Sequence, residues 1–171
     1  MYERIANWRL NFVAIAYIGI GSNLGNRQKN CSRAIEILIT KGIVIRKKSS
    51  MYETEPWGVT EQPRFINMVV EVETELEPHE LLRTLKDIER EVGRGKTFKW
   101  GPRIIDLDIL FFNDLFLRDN ILQIPHPLMH KRDFVLKPLC EIAPDKIHPL
   151  LRVRIRDLLQ RQEKQGSKIQ G

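Results

Sequence analysis

Hydrophobic and polar residues recur along this chain with two periods, one near two residues and one near 3.6, and the periods alternate. Residues 14–20 form an unbroken apolar run of strand length, the pattern of a buried strand. Residues 26–41 place Cys31, Ala34, Ile35, Leu38 and Ile39 at helical spacing, and Gly42 supplies the stop. Residues 43–52 predict a second strand with a basic middle, Arg46-Lys47-Lys48. A loop over 54–63 follows, holding two prolines and a glycine. Residues 65–74 alternate cleanly, with Ile66, Met68, Val70 and Val72 on one face and Phe65, Asn67, Val69, Glu71 and Glu73 on the other. Pro78 suits the first turn of a helix that carries Leu81, Leu82, Leu85, Ile88 and Val92 as far as Gly93. A polar loop over 94–102 leads into a strand over 104–112. Asn113-Asp114 turns the chain into another short strand, a short helical stretch follows Pro127, and residues 153–161 predict a last helix.

Strand, helix, strand, strand, helix, strand is the split βαβ order. The expected class is therefore α+β, an α/β sandwich with a ferredoxin-like βαββαβ core and an additional C-terminal strand and helices. A length of 171 residues suits one domain, drawn over residues 14–162. Residues 1–13 form an extension of unassigned role, with Trp8 and Phe12 as its means of becoming ordered, and residues 163–171 are a polar tail expected to fray. A hydrophobic fraction of 42% can build a core, and a formal charge of +6 favours an anionic partner: a nucleotide, a nucleic acid or a membrane surface. Cys31 and Cys140 stand far apart and outside any CxxC, which argues against a disulfide framework or zinc knuckle and for a reducing compartment. No apolar run approaches a membrane span, and the polar residues scattered through 1–13 leave no signal-peptide core. Ferredoxin-like folds serve many functions, so the function must come from the site.

The sharpest local feature is Ile105-Asp106-Leu107-Asp108-Ile109. Residues two apart in a strand share a face, so both aspartates project together while Leu107 and the isoleucines point into the core. Two carboxylates about 7 Å apart repel by roughly 2 kcal/mol at an effective dielectric near 20. A divalent cation offsets that repulsion, and magnesium binds through one or two carboxylates plus substrate phosphates. The plainer alternative is a solvated strand face with Arg103 neutralising one aspartate, and the pair alone leaves both open. The loop before it, residues 93–103, holds four cations, two aromatics and three glycines. That composition suits a lid closing over phosphates, although exposed basic loops are common. Carboxylates and cations together supply what phosphoryl transfer needs. Gly19-Ile20-Gly21-Ser22-Asn23-Leu24-Gly25 nearly reads GxGxxG, but its third glycine is one place late, and a tight strand-to-helix turn explains it better. Phe65 and Asn67 share the face opposite the apolar row, where a flat ligand could stack, unless a second helical layer covers it. His126 between two prolines, and Arg132 and Phe134 beyond it, carry no signal alone.

At these residues the chain resembles the 6-hydroxymethyl-7,8-dihydropterin pyrophosphokinase family. The run KWGPRIIDLDIL over residues 99–110 fits that family's signature throughout. Residues 17–25, 52–58 and 62–67 are similar to it too, as are Ile124-Pro125-His126-Pro127 and Lys131-Arg132-Asp133-Phe134, all in the family's order. The resemblance implies a Mg-ATP-dependent diphosphotransferase of folate biosynthesis. By resemblance, Asp106 and Asp108 bind two Mg2+ ions and join Arg94 and Arg103 as catalytic residues. Arg94, Arg103, Ile109, His126 and Arg132 meet ATP. Thr54, Glu55, Trp57, Phe65, Asn67, Trp100 and Phe134 form the pterin pocket, with the two phenylalanines sandwiching the ring and Trp100 on the closing lid. Lys96 and Lys99 stand where the family often has arginine, which is a fork rather than a point charge, and Asp133 replaces a small neutral residue. The expected enzyme is a cytoplasmic monomer with no nucleic-acid or membrane partner, and neighbouring folate-pathway enzymes are its candidate contacts. Two rivals remain: a palm-like metal-dependent enzyme, and an RNA-recognition module, whose exposed strand here would carry phosphate-repelling Asp106 and Asp108.

Overall fold

A computed structural model describes residues 12–93 and 98–169, the last three of these by backbone alone. Through residue 112 the chain forms β1 (Ala14–Ser22), α1 (Arg27–Thr40), β2 (Val44–Lys48), β3 (Tyr52–Thr54), β4 (Phe65–Thr74), α2 (Pro78–Val92) and β5 (Asp106–Phe112). The sheet runs β2-β4-β1-β5, β3 also pairs with β4, and every pairing is antiparallel. This is the ferredoxin-like arrangement that the order of elements predicts. One predicted element is corrected: the strand over 43–52 is two strands laid on the same partner. Between them Ser49 donates its N–H to the Val69 carbonyl at 2.9 Å, while its hydroxyl, not its carbonyl, accepts the Val69 N–H at 2.9 Å. A side chain thus replaces a backbone acceptor and the ladder breaks.

Local chemistry sets the helix ends. Asn26 accepts the Lys29 N–H at the start of α1. Glu80 reaches back to the Glu77 N–H at 2.9 Å, Pro78 opens α2, and Gly93 closes it at φ 115°. Helices α1 and α2 cover one face of the sheet, and the predicted row Ile66, Met68, Val70 and Val72 is buried there with Ile18, Ile20, Leu107 and Ile109.

After β5 come β6 (Leu117–Arg118) and β7 (Gln123–Ile124), a separate two-stranded sheet where one further strand was expected, then a 3-10 turn, Met129–Lys131. Two helices follow, α3 (Asp133–Ile142) and α4 (Ile155–Ile169), and they cover half of the second sheet face, burying Tyr17, Val69, Leu110 and Phe111. A register shift opposite Tyr17 and Ile18 turns both Leu110 and Phe111 toward this second core. The other half of that face stays open. The helical backbone of α4 continues across the polar residues for which composition predicts fraying. Phe12 stacks on Phe112 at 6.3 Å, while Trp8 lies outside the described residues. Among the described residues no helix is long and apolar enough to cross a membrane.

Candidate active site

The open half of the sheet has a floor without side chains. On β1, Gly19 pairs with Asp108, and Gly21 pairs with Asp106 on one side and Asn67 on the other. A Cβ at Gly21 would stand 2.8 Å from the Asn67 Oδ1, so only glycine leaves that amide its place. These glycines lie inside the strand and not in the turn that their sequence suggests. Above them lies an open cleft.

Phe65 and Asn67 stand on its β4 side, as the alternation predicts, and the Asn67 Nδ2 donates to the Thr54 Oγ1 at 2.7 Å. The helical cover reaches Val69 on the same face and stops there. Trp57 and Trp100 meet edge to face at 5.3 Å on the rim. Trp100 lies so close over Gly58 that a Cβ there would be 2.8 Å from its ring. Phe134, in the first turn of α3, lines the opposite side. The Arg132 guanidinium lies 4.6 Å from the Trp57 ring centre and 5.6 Å from that of Phe134. The Arg132 Nε is buried without a hydrogen-bond partner, a donor that an anionic ligand would satisfy. Glu55 also lines the cleft and pairs with the Arg64 Nε at 2.9 Å.

The β5 side carries the charge. The Arg103 Nη1 donates to the Asp106 Oδ2 at 3.0 Å. Burial first, and then the Asp106 charge, push the Asp108 carboxyl well above the ordinary range, while Lys86 and Arg132 act in the opposite direction. A cation between the aspartates would relieve both causes. The donor set fits magnesium, which needs few protein oxygens when phosphates complete its shell. Among the described residues no three His, Cys, Asp or Glu side chains gather into an all-protein metal cage.

Of the residues expected at the site, Glu55, Trp57, Phe65, Asn67, Trp100, Arg103, Asp106, Asp108, Arg132 and Phe134 converge on this cleft. Thr54 stands behind Asn67 as its hydrogen-bond partner. Ile109 is 4% exposed and belongs to the core on the far face, so its side chain does not join the cleft. His126 is half-buried, and its Nδ1 accepts the Leu128 N–H at 3.1 Å. Burial first, and then Arg132, lower its pKa to about 4, so near neutrality the ring is uncharged with its proton on Nε2. Arg94 and Lys96 lie outside the described residues.

Sequence reasoning missed the glycine floor, although two glycines two residues apart, like the aspartates, were its signal. It also missed Glu89, a buried carboxylate on α2 that accepts the Leu107 N–H at 2.8 Å between the two aspartates. Nothing in a helical heptad marks a glutamate as inward-facing.

Residues 17–144 match the family model for 7,8-dihydro-6-hydroxymethylpterin-pyrophosphokinase. The chain is 45% identical over 145 residues to a 2-amino-4-hydroxy-6-hydroxymethyldihydropteridine pyrophosphokinase of Aquifex aeolicus, covering 85% of this chain and 90% of that protein. Against the Bacillus subtilis protein of the same name it is 47% identical over 130 residues, covering 75% of this chain and 78% of the relative. It is 46% identical over 139 residues to the Folic acid synthesis protein FOL1 of Dictyostelium discoideum; the match takes in 81% of this chain but only 21% of that longer protein. The fold is similar to that of Plasmodium falciparum HPPK-DHPS, with a TM-score of 0.71 at 20% identity over 88% of this chain and 42% of the solved one.

Proposed function

The chain belongs to the 7,8-dihydro-6-hydroxymethylpterin-pyrophosphokinase family, and on that premise we propose how its cleft performs the family's reaction. The enzyme transfers pyrophosphate from ATP to 6-hydroxymethyl-7,8-dihydropterin in folate biosynthesis, giving AMP and the pterin diphosphate. The observation that carries the site assignment is one cleft with an aromatic and amide wall on β4 and a carboxylate pair on β5, separated by glycine.

The pterin ring lies between Phe65 and Phe134, and Asn67, held by Thr54, reads its edge. Stacking on each ring adds about 0.5–1.5 kcal/mol beyond burial. Glu55, Trp57 and Trp100 close the pocket from the rim. The triphosphate extends over the glycine floor toward β5, where Arg103, Arg132 and the Nε2–H of His126 donate to its oxygens, joined by Arg94. The unsatisfied Nε of Arg132 supports this assignment. Two magnesium ions on Asp106 and Asp108 would neutralise phosphate charge and fix the phosphates in place.

The hydroxymethyl oxygen attacks the β-phosphorus, the bond from that phosphorus to the oxygen bridging the α-phosphate breaks, and AMP leaves with the electron pair. The hydroxyl proton is lost as the new bond forms. In a loose transition state little deprotonation is needed beforehand, so positioning and charge dominate. We further propose a cytoplasmic monomer; Cys31 and Cys140 are both free, which suits a reducing compartment. Contact with neighbouring pathway enzymes is supported by relatives named as bifunctional folate-synthesis proteins.

The binding test uses α,β-methylene-ATP, whose bridge cannot be cleaved in this way. Its affinity for the wild type should fall at least tenfold when magnesium is chelated, and that dependence should vanish in Asp106→Asn and Asp108→Asn. Equal magnesium dependence in all three proteins would remove the metal from these residues.

A further inference from the structure

Asn23 is polar yet only 1% exposed, and it sits just past β1 between two loops that reach the cleft from different sides. Its Nδ2 donates to the Gln62 Oε1 and to the Pro63 carbonyl, each at 2.9 Å. Its Oδ1 accepts the Arg103 backbone N–H at 2.8 Å, and its own N–H donates to the Arg103 carbonyl at 3.1 Å. Gln62 sends its Nε2 to the carbonyls of Val59 at 2.6 Å and Trp100 at 2.8 Å. Both N–H bonds of both side-chain amides are therefore in use. Neither side chain lines the cleft, but what they hold does: Trp57 lies in one loop, and Trp100 and Arg103 in the other. Trp100 adopts φ 60°, a left-handed conformation that non-glycine residues rarely take, and the Gln62 bond fixes its carbonyl there.

We infer that Asn23 and Gln62 are positioning residues for pyrophosphoryl transfer, one amide junction that sets Arg103 against Asp106 and Trp100 against Trp57. The inference rests on the pyrophosphokinase reading and adds the device that aligns its two sides. A fully satisfied amide pair is a stiff constraint, because displacing either member strands several polar groups at once. Errors near 1 Å in placing a reacting group cost up to about a hundredfold in rate. The junction therefore acts mainly on kcat through Arg103 and more weakly on binding through Trp100, while Phe65, Asn67 and Phe134 keep their places.

The test compares Gln62→Met, which keeps length and removes the bonds, with Asn23→Asp, which keeps an acceptor for Arg103 but removes both Nδ2 donors, and with the double variant. Each single change should lower kcat by roughly tenfold with smaller changes in KM. The double variant should lose about as much as the worse single, because a junction broken once is broken. In the ligand-free Gln62→Met protein, amide exchange at Arg103 should quicken while that of β1 and β4 stays slow. Independent losses that multiply to about a hundredfold, or a lowered Tm with kcat, KM and exchange unchanged, would overturn the proposal. If the wild type itself makes no pterin diphosphate, the pyrophosphokinase reading fails, and the exchange measurement still judges the junction.

Discussion

Replacing Asp108 by alanine removes a carboxylate whose charged form burial and Asp106 already disfavour. The apo protein should lose no stability at neutral pH, whereas turnover should fall at least about a thousandfold, or roughly 4 kcal/mol of transition-state stabilisation. Calorimetry and a turnover assay check the two halves, and near-normal activity would remove Asp108 from the chemistry. Phe65→Ala is the counterpart on the pterin side. It should weaken pterin binding about tenfold or more, at about 1.4 kcal/mol per decade, and leave nucleotide affinity nearly unchanged. Separate titrations decide it, since equal losses for both ligands would mean a damaged fold. Residues at this scale were legible where strand periodicity pairs them, as with Asp106 and Asp108 or Phe65 and Asn67. Arg132 and Phe134 carry no periodic signal. They reach the cleft because a 3-10 turn and the start of α3 happen to end there.

Strands and helices place these groups, and β1 does so by what it lacks. Gly21→Ala keeps an ordinary extended backbone but sets a methyl 2.8 Å from the Asn67 Oδ1. The fold should survive with its Tm within a few degrees, while pterin affinity falls about tenfold as Asn67 turns away; unchanged pterin affinity would mean that Asn67 does not read the ring. The approach to α4 has a different sensitivity. His148 is buried, and its Nδ1 accepts the N–H groups of Leu150 at 3.3 Å and Leu151 at 3.2 Å. Burial first, then His130 and Lys146, lower its pKa to about 4. The folded value lies below the unfolded one of about 6.5, so the stability it contributes is complete above that pH and is lost as pH falls toward 4. The loss is about 3 kcal/mol at most. Denaturant unfolding between pH 7 and 4 should show a shallower fall for His148→Asn, and an identical slope would place the proton elsewhere. The sequence marked β4 and α2 within a residue of their ends because alternation, Pro78 and Gly93 all agree. It ran β2 and β3 together because nothing in a run of polar residues says that the Ser49 hydroxyl will replace a carbonyl.

Across the whole molecule, the sheet separates two layers of different purpose. One face is wholly committed to a core under α1 and α2. The other is half core under α3 and α4 and half cleft, so the C-terminal helices decide where the site begins. Sequence order predicted the split βαβ architecture, and motif resemblance predicted the chemistry. How far the second helical layer would extend depends on the packing of α3 and α4 against three strands that lie far from them in sequence, which no local pattern encodes. The cleft should cut ATP between its α- and β-phosphates and deliver the β,γ unit intact to a hydroxymethyl pterin. Incubation of the protein with Mg-ATP and 6-hydroxymethyl-7,8-dihydropterin, followed by phosphorus NMR of the products, reads that cut directly. AMP and pterin diphosphate should appear in equal amounts, with neither formed by Asp108→Ala; ADP with a pterin monophosphate, or ATP left intact by the wild type, would contradict this assignment.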